Sequence, residues 1–252
     1  GRAPADVFAE HLAPWRGAQA LPVLMAGMIG SDAGWQAVPY LDCPTAIDAP
    51  GRQLCAVAEG VWIIPGLKIE QDGDFNVMRG EETQLLGAWQ LMPAECYVMP
   101  GTHCKWVQVV GGGVRHFATA MTGELHHLLM TQSLIGKGLP AQQPDDAAFE
   151  RGLEKGLAQP SLISELFVAR AARVLGGLAA SSVSDYLSGL LIGAEVATLG
   201  QRFCTSAVTL VGEPALNARY GRAMKARGMM VNSCSGDEAL LAGMARIMHE
   251  QD

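Results

Sequence analysis

The chain has 252 residues, 49% apolar and 17% charged, with a formal net charge of −7. That length and composition suit one large domain or two small lobes around a real core, and they exclude a disordered chain. An acidic chain with no basic stripe is a poor nucleic-acid binder, so an anionic ligand would have to be held by local donors rather than by the overall field. The six cysteines (Cys43, Cys55, Cys96, Cys104, Cys204, Cys234) form no C-x-x-C pair and no secretion signal opens the chain, which points to reduced thiols and a cytoplasmic protein. The longest uncharged runs contain Pro or several Gly and fall short of the ~20 apolar residues that a membrane span needs.

The opening "GRAPADVF" has neither an initiator Met nor a leading strand, and reads as a processed, truncated or partial product. Residues 4–15 predict an amphipathic helix. The runs "LPVLMAG" (21–27) and "GVWIIPG" (60–66) are apolar and end in Gly, as short buried strands do. A helix is predicted over 78–92, with acids in its first turn where they suit the macrodipole. Three apolar stretches follow, "CYVMPG", "CKWVQVV" and "RHFATAM", the last two joined by "GGG"; 96–121 therefore predicts an antiparallel meander. Helical patterns cover 124–135, 146–158, 161–175 and 183–199, with a loop over 136–146. The chain closes as a β-α-β-α unit: "AVTLVG" (207–212), a helix over "ALNARYGRAMKARG", a strand at 229–234 and a last helix from Gly236. This order fits two α/β lobes flanking a cleft, divided near "LMPAEC": 1–93 as the first lobe, 94–252 as the second, with the last helix able to pack back on the first.

Four segments carry residues suited to chemistry. In "YVMPGTHCKW" (97–106) an apolar run breaks at Pro-Gly and donors crowd into the break. Gly101 has no Cβ and admits a ligand to the backbone; Thr102, His103 and Lys105 add donors, and the turn's N–H groups can form an anion nest. The competing reading is a plain turn facing water. In "LVGEPALNARY" (210–220) a strand ends at Gly212 and a helix begins after Glu213-Pro214, so a phosphate or an adenine ring could rest at the helix N-terminus; an ordinary βα junction looks the same. In "NVMRGEETQ" (76–84) Glu81 or Glu82 could take a proton from a hydroxyl and Arg79 could grip a carboxylate, against the plainer reading that the acids only complement the helix dipole. In "MAGMIGSDAGW" (25–35) Ser31 and Trp35 offer a polar group and a rigid wall for a sugar, or the Trp simply fills the core. His126 and His127, adjacent on a helix, do not converge on one metal ion, and His103 and Cys104 point to opposite faces of a strand, so neither pair forms a site.

Together "MAGMIGSDAGW", "WIIPGL", "NVMRGEETQLLGA", "YVMPGTHCKWVQV", "MTGELHHLL", "SGLLIGAEV" and "VTLVGEPALNARY" resemble the 2-dehydro-3-deoxygalactonokinase family, also called 2-keto-3-deoxygalactonate kinase, in order and over essentially the whole chain. The resemblance implies the actin-like ATPase (ribonuclease-H-like) fold, with two lobes closing on ATP. It implies that ATP, with Mg²⁺ bridging its phosphates, phosphorylates the 6-hydroxyl of 2-dehydro-3-deoxy-D-galactonate in galactonate degradation. It makes Gly101, Thr102, His103 and Lys105 the second phosphate loop, Gly212, Glu213 and Asn217 the adenosine segment, and Ser31, Trp35, Asn76 and Arg79 the sugar-acid side. The base is then Glu81 or Glu82; the superfamily's usual base is an Asp after a strand, which keeps Asp72 and Asp74 in competition. A homodimer suits a small sugar kinase, and neither a membrane nor a nucleic acid enters. The family opens with a strand carrying an Asp-x-Gly-Ser/Thr phosphate loop. This sequence lacks it, which leaves a second expectation open: a non-catalytic module that binds a sugar acid or nucleotide without turnover.

Overall fold

The computed structural model describes residues 2–16, 21–71, 73–158 and 161–250 of a mixed α/β protein. In chain order come α1 (Pro4–Arg16), β1 (Val23–Met25), β2 (Leu41–Asp42), β3 (Thr45–Ala46), α2 (Ala49–Arg52), β4 (Cys55–Ala58), β5 (Val61–Ile63), β6 (Leu67–Gln71), β7 (Asp74–Met78) and α3 (Glu81–Leu91). Then follow β8 (Cys96–Met99), β9 (Cys104–Val110), β10 (Gly113–Ala120), α4 (Thr122–Gln132), α5 (Asp146–Leu157), α6 (Leu162–Val174), α7 (Val183–Phe203), β11 (Ala207–Gly212), α8 (Pro214–Ala226), β12 (Met230–Ser235) and α9 (Gly236–His249). No described helix is long and apolar enough to cross a membrane.

Two compact units divide the chain: Gly1–Glu95, Val107–Ala118 and Cys234–Asp252 form one, Cys96–Trp106 and Thr119–Ser233 the other. In the first, β1 pairs parallel with β5 (Val23↔Val61), and β4 antiparallel with β5. A second small sheet joins β2 parallel to β6 and β6 antiparallel to β7, and β10 meets β3 antiparallel. Its core is built on Val61, Ile63, Leu67, Met78, Leu85 and Ala88, each at most 1% exposed. α9 crosses α3 so closely that a Cβ on Gly87 would stand 1.8 Å from the Ala239 carbonyl oxygen, and one on Gly243 2.1 Å from that of Thr83. Only glycine at both positions allows this backbone approach.

In the second unit β11 runs parallel to β8 (Thr209↔Tyr97, Leu210↔Val98). The long helix α7 is buried along most of its length because apolar residues recur on more than one face (Leu187, Leu190, Leu191, Ile192, Val196). It packs on α5 through glycines at the contact: a Cβ on Gly152 would stand 2.0 Å from the Tyr186 carbonyl oxygen, and one on Gly189 2.1 Å from that of Phe149.

The predicted helices and longer strands are present, with shifted ends. The strands predicted over 21–27 and 60–66 shrink to three residues each, because Pro22 and Pro65 lack an N–H for a ladder and Gly27, at φ 85°, turns the chain away. The helix predicted from 78 starts at Glu81, since Met78 still pairs with Leu67 in the β6–β7 hairpin. The sequence pattern predicts no hairpin there, although Gly73, at φ 84°, occupies its turn. Lys68, Glu70 and Gln71 interrupt its apolar pattern.

Candidate functional site

The sugar-acid candidates lie in the first unit, around the junction of β7 and α3. Gly80, at φ 110°, turns the chain from strand to helix, and a Cβ on it would meet the Gly27 Cα at 3.2 Å. The 27–35 loop is thus stacked on the start of α3 by two glycines back to back. The loop folds tightly on itself: the Ser31 hydroxyl donates to the Met28 carbonyl (2.7 Å), and the Trp35 N–H to that of Ile29 (2.8 Å). Trp35 is half-buried, its ring 5.0 Å from that of Phe8 on α1.

Arg79 turns back under this loop. Its Nη2 donates to the Val38 carbonyl (2.7 Å), its Nε to the Tyr40 hydroxyl (3.3 Å), and its guanidinium lies 4.1 Å from the Tyr40 ring centre. Nη1 is buried against Gly30 without a hydrogen bond among the described residues. Two of its three guanidinium nitrogens are therefore spent on holding the 38–40 segment, a role the sequence did not suggest. Asn76 sits one strand face away, its Nδ2 donating to Asp74 Oδ1 (2.7 Å), and Asp74 also stands 3.7 Å from His116 Nε2. Asp72 lies outside the described residues.

The two glutamates at the start of α3 are unlike. Glu82 is 1% exposed; its Oε2 accepts the Gly80 N–H (2.6 Å) and its Oε1 the Thr83 hydroxyl (3.0 Å). Burial pushes its carboxyl up to about 7, although the N–H groups of its own residue and of Gly80 pull the other way. It satisfies a helix-end donor that would otherwise be orphaned. Glu81 is half-exposed, and its Oε2 accepts the Arg79 N–H (3.0 Å).

The nucleotide candidates lie in the second unit. Because β8 and β11 are parallel neighbours, the Pro100-Gly101 turn and the Gly212-Glu213 junction leave the sheet at the same end. A Cβ on Gly212 would stand 3.3 Å from the Pro100 carbonyl oxygen. The carboxyl end of parallel strands is where open α/β sheets take ligands. α8 starts there: Pro214 occupies its first turn and Glu213 caps it, accepting the Leu216 N–H (2.9 Å). α4 starts against the turn as well, since the Glu124 N–H donates to the Thr102 carbonyl (2.9 Å). A cavity of about 320 Å³ opens at this point, at the small end of the range for ligand sites. Gly101, Gly123 and Glu213 line it near the strand ends, and Leu191, Leu216 and Tyr220 supply apolar wall.

Beneath the cavity is a closed polar network. Glu195, 7% exposed, accepts the Trp106 indole N–H (2.7 Å) on one oxygen and the hydroxyls of Tyr220 (2.6 Å) and Thr122 on the other. It ties β9, α4, α7 and α8 together; burial first, then the neighbouring Cys104 and Glu195, hold the Tyr220 phenol well above its ordinary pKa.

Of the expected nucleotide residues, Gly101 and Glu213 border this cavity. Thr102 and His103 are exposed on the turn, His103 Nε2 lying 2.5 Å from Glu124 Oε2. Lys105 is 4% exposed on β9 and Asn217 4% exposed on α8; neither lines the cavity. Asn217 Nδ2 donates to the Gly212 carbonyl (3.3 Å) and to the Ser233 hydroxyl (2.9 Å), locking the βα junction to β12. Sequence reasoning missed Gly123, His126, Arg219 and Glu195. For Glu195 a signal existed: a lone acid inside the apolar run "LLIGAEVATL" must bury with partners. Arg219 follows Ala215 and Leu216 by four and three residues, so the same helix face carries it to the cavity.

Comparison with known proteins gives a consistent result. A family model described as 2-keto-3-deoxy-galactonokinase matches residues 1–247. The 2-dehydro-3-deoxygalactonokinase of Escherichia coli (strain K12) is 50% identical over 250 residues, 99% of this chain and 85% of that protein. The protein named "Probable 2-dehydro-3-deoxygalactonokinase DgoK1" of Rhizobium meliloti (strain 1021) is 34% identical over 245 residues, 93% of this chain and 80% of that one. The crystal structure of a 2-dehydro-3-deoxygalactonokinase candidate from Sinorhizobium meliloti superposes with a TM-score of 0.90 at 32% identity, covering 98% of this chain and 85% of that chain.

Proposed function

The chain belongs to the 2-keto-3-deoxy-galactonokinase family, and on that premise we propose that it transfers the γ-phosphoryl group of ATP to the 6-hydroxyl of 2-dehydro-3-deoxy-D-galactonate. The hydroxyl oxygen forms a bond to the γ-phosphorus, the bond to the β–γ bridging oxygen breaks, and ADP leaves with that electron pair. The hydroxyl proton passes to a carboxylate. Chemistry of this kind is mostly positioning and charge stabilisation. One observation carries the nucleotide assignment: the Gly101 turn and the N-terminus of α8 meet on one cavity at the carboxyl ends of two parallel strands. A helix N-terminus and turn N–H groups attract phosphate oxygens, which an acidic chain must do locally.

Glu81 is the base in this reading. Its carboxylate is half-exposed at the start of α3, whereas Glu82 is sealed under the same turn. Ser31, Trp35 and Asn76 face the sugar acid, and Arg79 positions the loop that carries the first two. Mg²⁺ arrives with the nucleotide as part of the substrate; such an ion binds phosphates plus one or two carboxylates and keeps several waters. The two units serve as the lobes of an actin-like ATPase fold, the sugar acid held by the unit that contains residues 1–95 and the nucleotide by the unit that contains 119–233; the division near residue 93 expected from the sequence is corrected, because 107–118 and 234–252 pack with the first unit.

The test is coupled ADP release over a panel of 2-keto-3-deoxy sugar acids. The galactonate derivative should be turned over fastest. A protein that binds ATP yet releases no ADP with any of them is a binding module, and the kinase reading falls.

A further inference from the structure

Arg219 lies on the second turn of α8 and lines the 320 Å³ cavity. What surrounds it fixes its plane. Its Nη2 donates to Asp185 Oδ1 (2.5 Å), and Asp185, 8% exposed on α7, accepts the Asp145 N–H on its other oxygen (2.6 Å). The guanidinium carbon stands 5.0 Å from the Phe149 ring centre. Arg222, one turn further on, stands 4.9 Å from the same ring but pairs with Asp146 and Glu150 outside the cavity. Two arginines thus share one ring, and only the first borders the cavity.

The cavity that Arg219 borders is mostly apolar, with Leu191, Ile192, Ala215 and Leu216 in its wall and Thr122, His126 and Ser188 as its polar members besides Glu213 and Tyr220. Arg219 lies six positions after Glu213, about 9 Å along the axis from the N-terminus where the phosphates are placed. A planar cation fixed at one edge, beside apolar walls and away from the phosphate end, suits a flat π system better than a phosphate. We propose that Arg219 stacks on the adenine ring of the bound nucleotide, with Asp185 and Phe149 as the residues that hold its plane. The proposal rests on the nucleotide reading of this cavity.

The experiment is isothermal calorimetry of ATP, adenosine and inorganic tripolyphosphate with the wild-type protein and with Arg219→Ala, Arg219→Lys and Arg222→Ala. Lysine keeps the charge and the reach to Asp185 but has no planar face, so it also serves as the variant expected to fold if alanine leaves Asp185 unpaired and the protein melts early. Stacking predicts that both Arg219 variants bind adenosine and ATP about 2- to 30-fold more weakly, the usual worth of such a contact. Tripolyphosphate binding should be unchanged, and Arg222→Ala should behave as wild type. Unchanged adenosine affinity in Arg219→Lys overturns the proposal. So does a loss of tripolyphosphate binding in Arg219→Ala that lysine restores, which would make Arg219 a phosphate ligand. A wild-type protein that binds neither ATP nor adenosine removes the nucleotide reading itself, and this proposal with it.

Discussion

Gly123 lies directly against Gly101: a Cβ on Gly123 would stand 2.4 Å from the Gly101 carbonyl oxygen and 2.8 Å from the Thr102 Cα. A Cβ on Gly101 itself would meet nothing within 4 Å. The same turn is therefore tight on its inner side and open on the other. Gly101→Val should fold with nearly unchanged Tm, because its side chain enters open space, but it should lose nucleotide affinity by tenfold or more, on the order of the 1.4 kcal/mol that a factor of ten represents. Gly123→Ala should lose both, by about 1–3 kcal/mol of stability, as overpacking does. Thermal melts and ATP titrations on the two variants check this. Wild-type ATP affinity in folded Gly101→Val would remove the turn from the nucleotide site.

The buried Glu82 carboxyl predicts a pH effect on stability. Its pKa is about 7 in the folded protein against an ordinary 4.5. Between those values the folded state holds a proton that the unfolded state has released, so its contribution to stability is full below about 4.5 and is lost as pH rises through about 7, on the order of 3 kcal/mol in all. Glu82→Gln mimics the protonated form: its oxygen can accept the Gly80 N–H, and its amide can donate to the Thr83 hydroxyl. Denaturant unfolding at pH 5 and pH 8 should show a smaller fall for the variant than for wild type. Equal falls would place the titration elsewhere.

Glu81 should show its role in turnover rather than in stability. Replacement by Gln should lower kcat by about 10²–10⁴-fold, the size of a general-base contribution, with little change in KM. Steady-state kinetics at saturating ATP decides it. Wild-type kcat in both Glu81→Gln and Glu82→Gln would turn attention to Asp74 and Asp72.

Gly30 and Arg79 are coupled sterically. A Cβ on Gly30 would stand 2.9 Å from Ile63 Cγ2 and 3.0 Å from Arg79 Nη1, and Ile63 is fully buried. Arg79 has little freedom to yield, because Val38 and Tyr40 hold it. Gly30→Ala should cost about 1–3 kcal/mol and raise the KM for the sugar acid more than it lowers kcat. Unchanged KM in a folded variant would separate the 27–40 segment from the sugar acid.

Local chemistry made much of this protein legible in one dimension. Apolar runs broken by Gly and Pro marked β8, β9, β11 and the long helices, because burial and backbone geometry act over a few residues. Glu213-Pro214 announced the start of α8 for the same reason, and the quoted motifs pointed to the family that comparison then showed. Other features became visible only in three dimensions. Glu81 and Glu82 are neighbours of one type in the chain; only the turn at Gly80 buries one and leaves the other half-exposed. Arg79 reads as a ligand clamp, and only the fold shows that Val38 and Tyr40, some forty residues away, take donors on two of its nitrogens. Lys105 reads as a turn donor until β9 buries it. Arg219 gains meaning from Asp185 on α7 and Phe149 on α5, partners that no spacing encodes. A side chain's role depends on which donors, acceptors and ring faces remain after packing, and packing joins residues far apart in the chain.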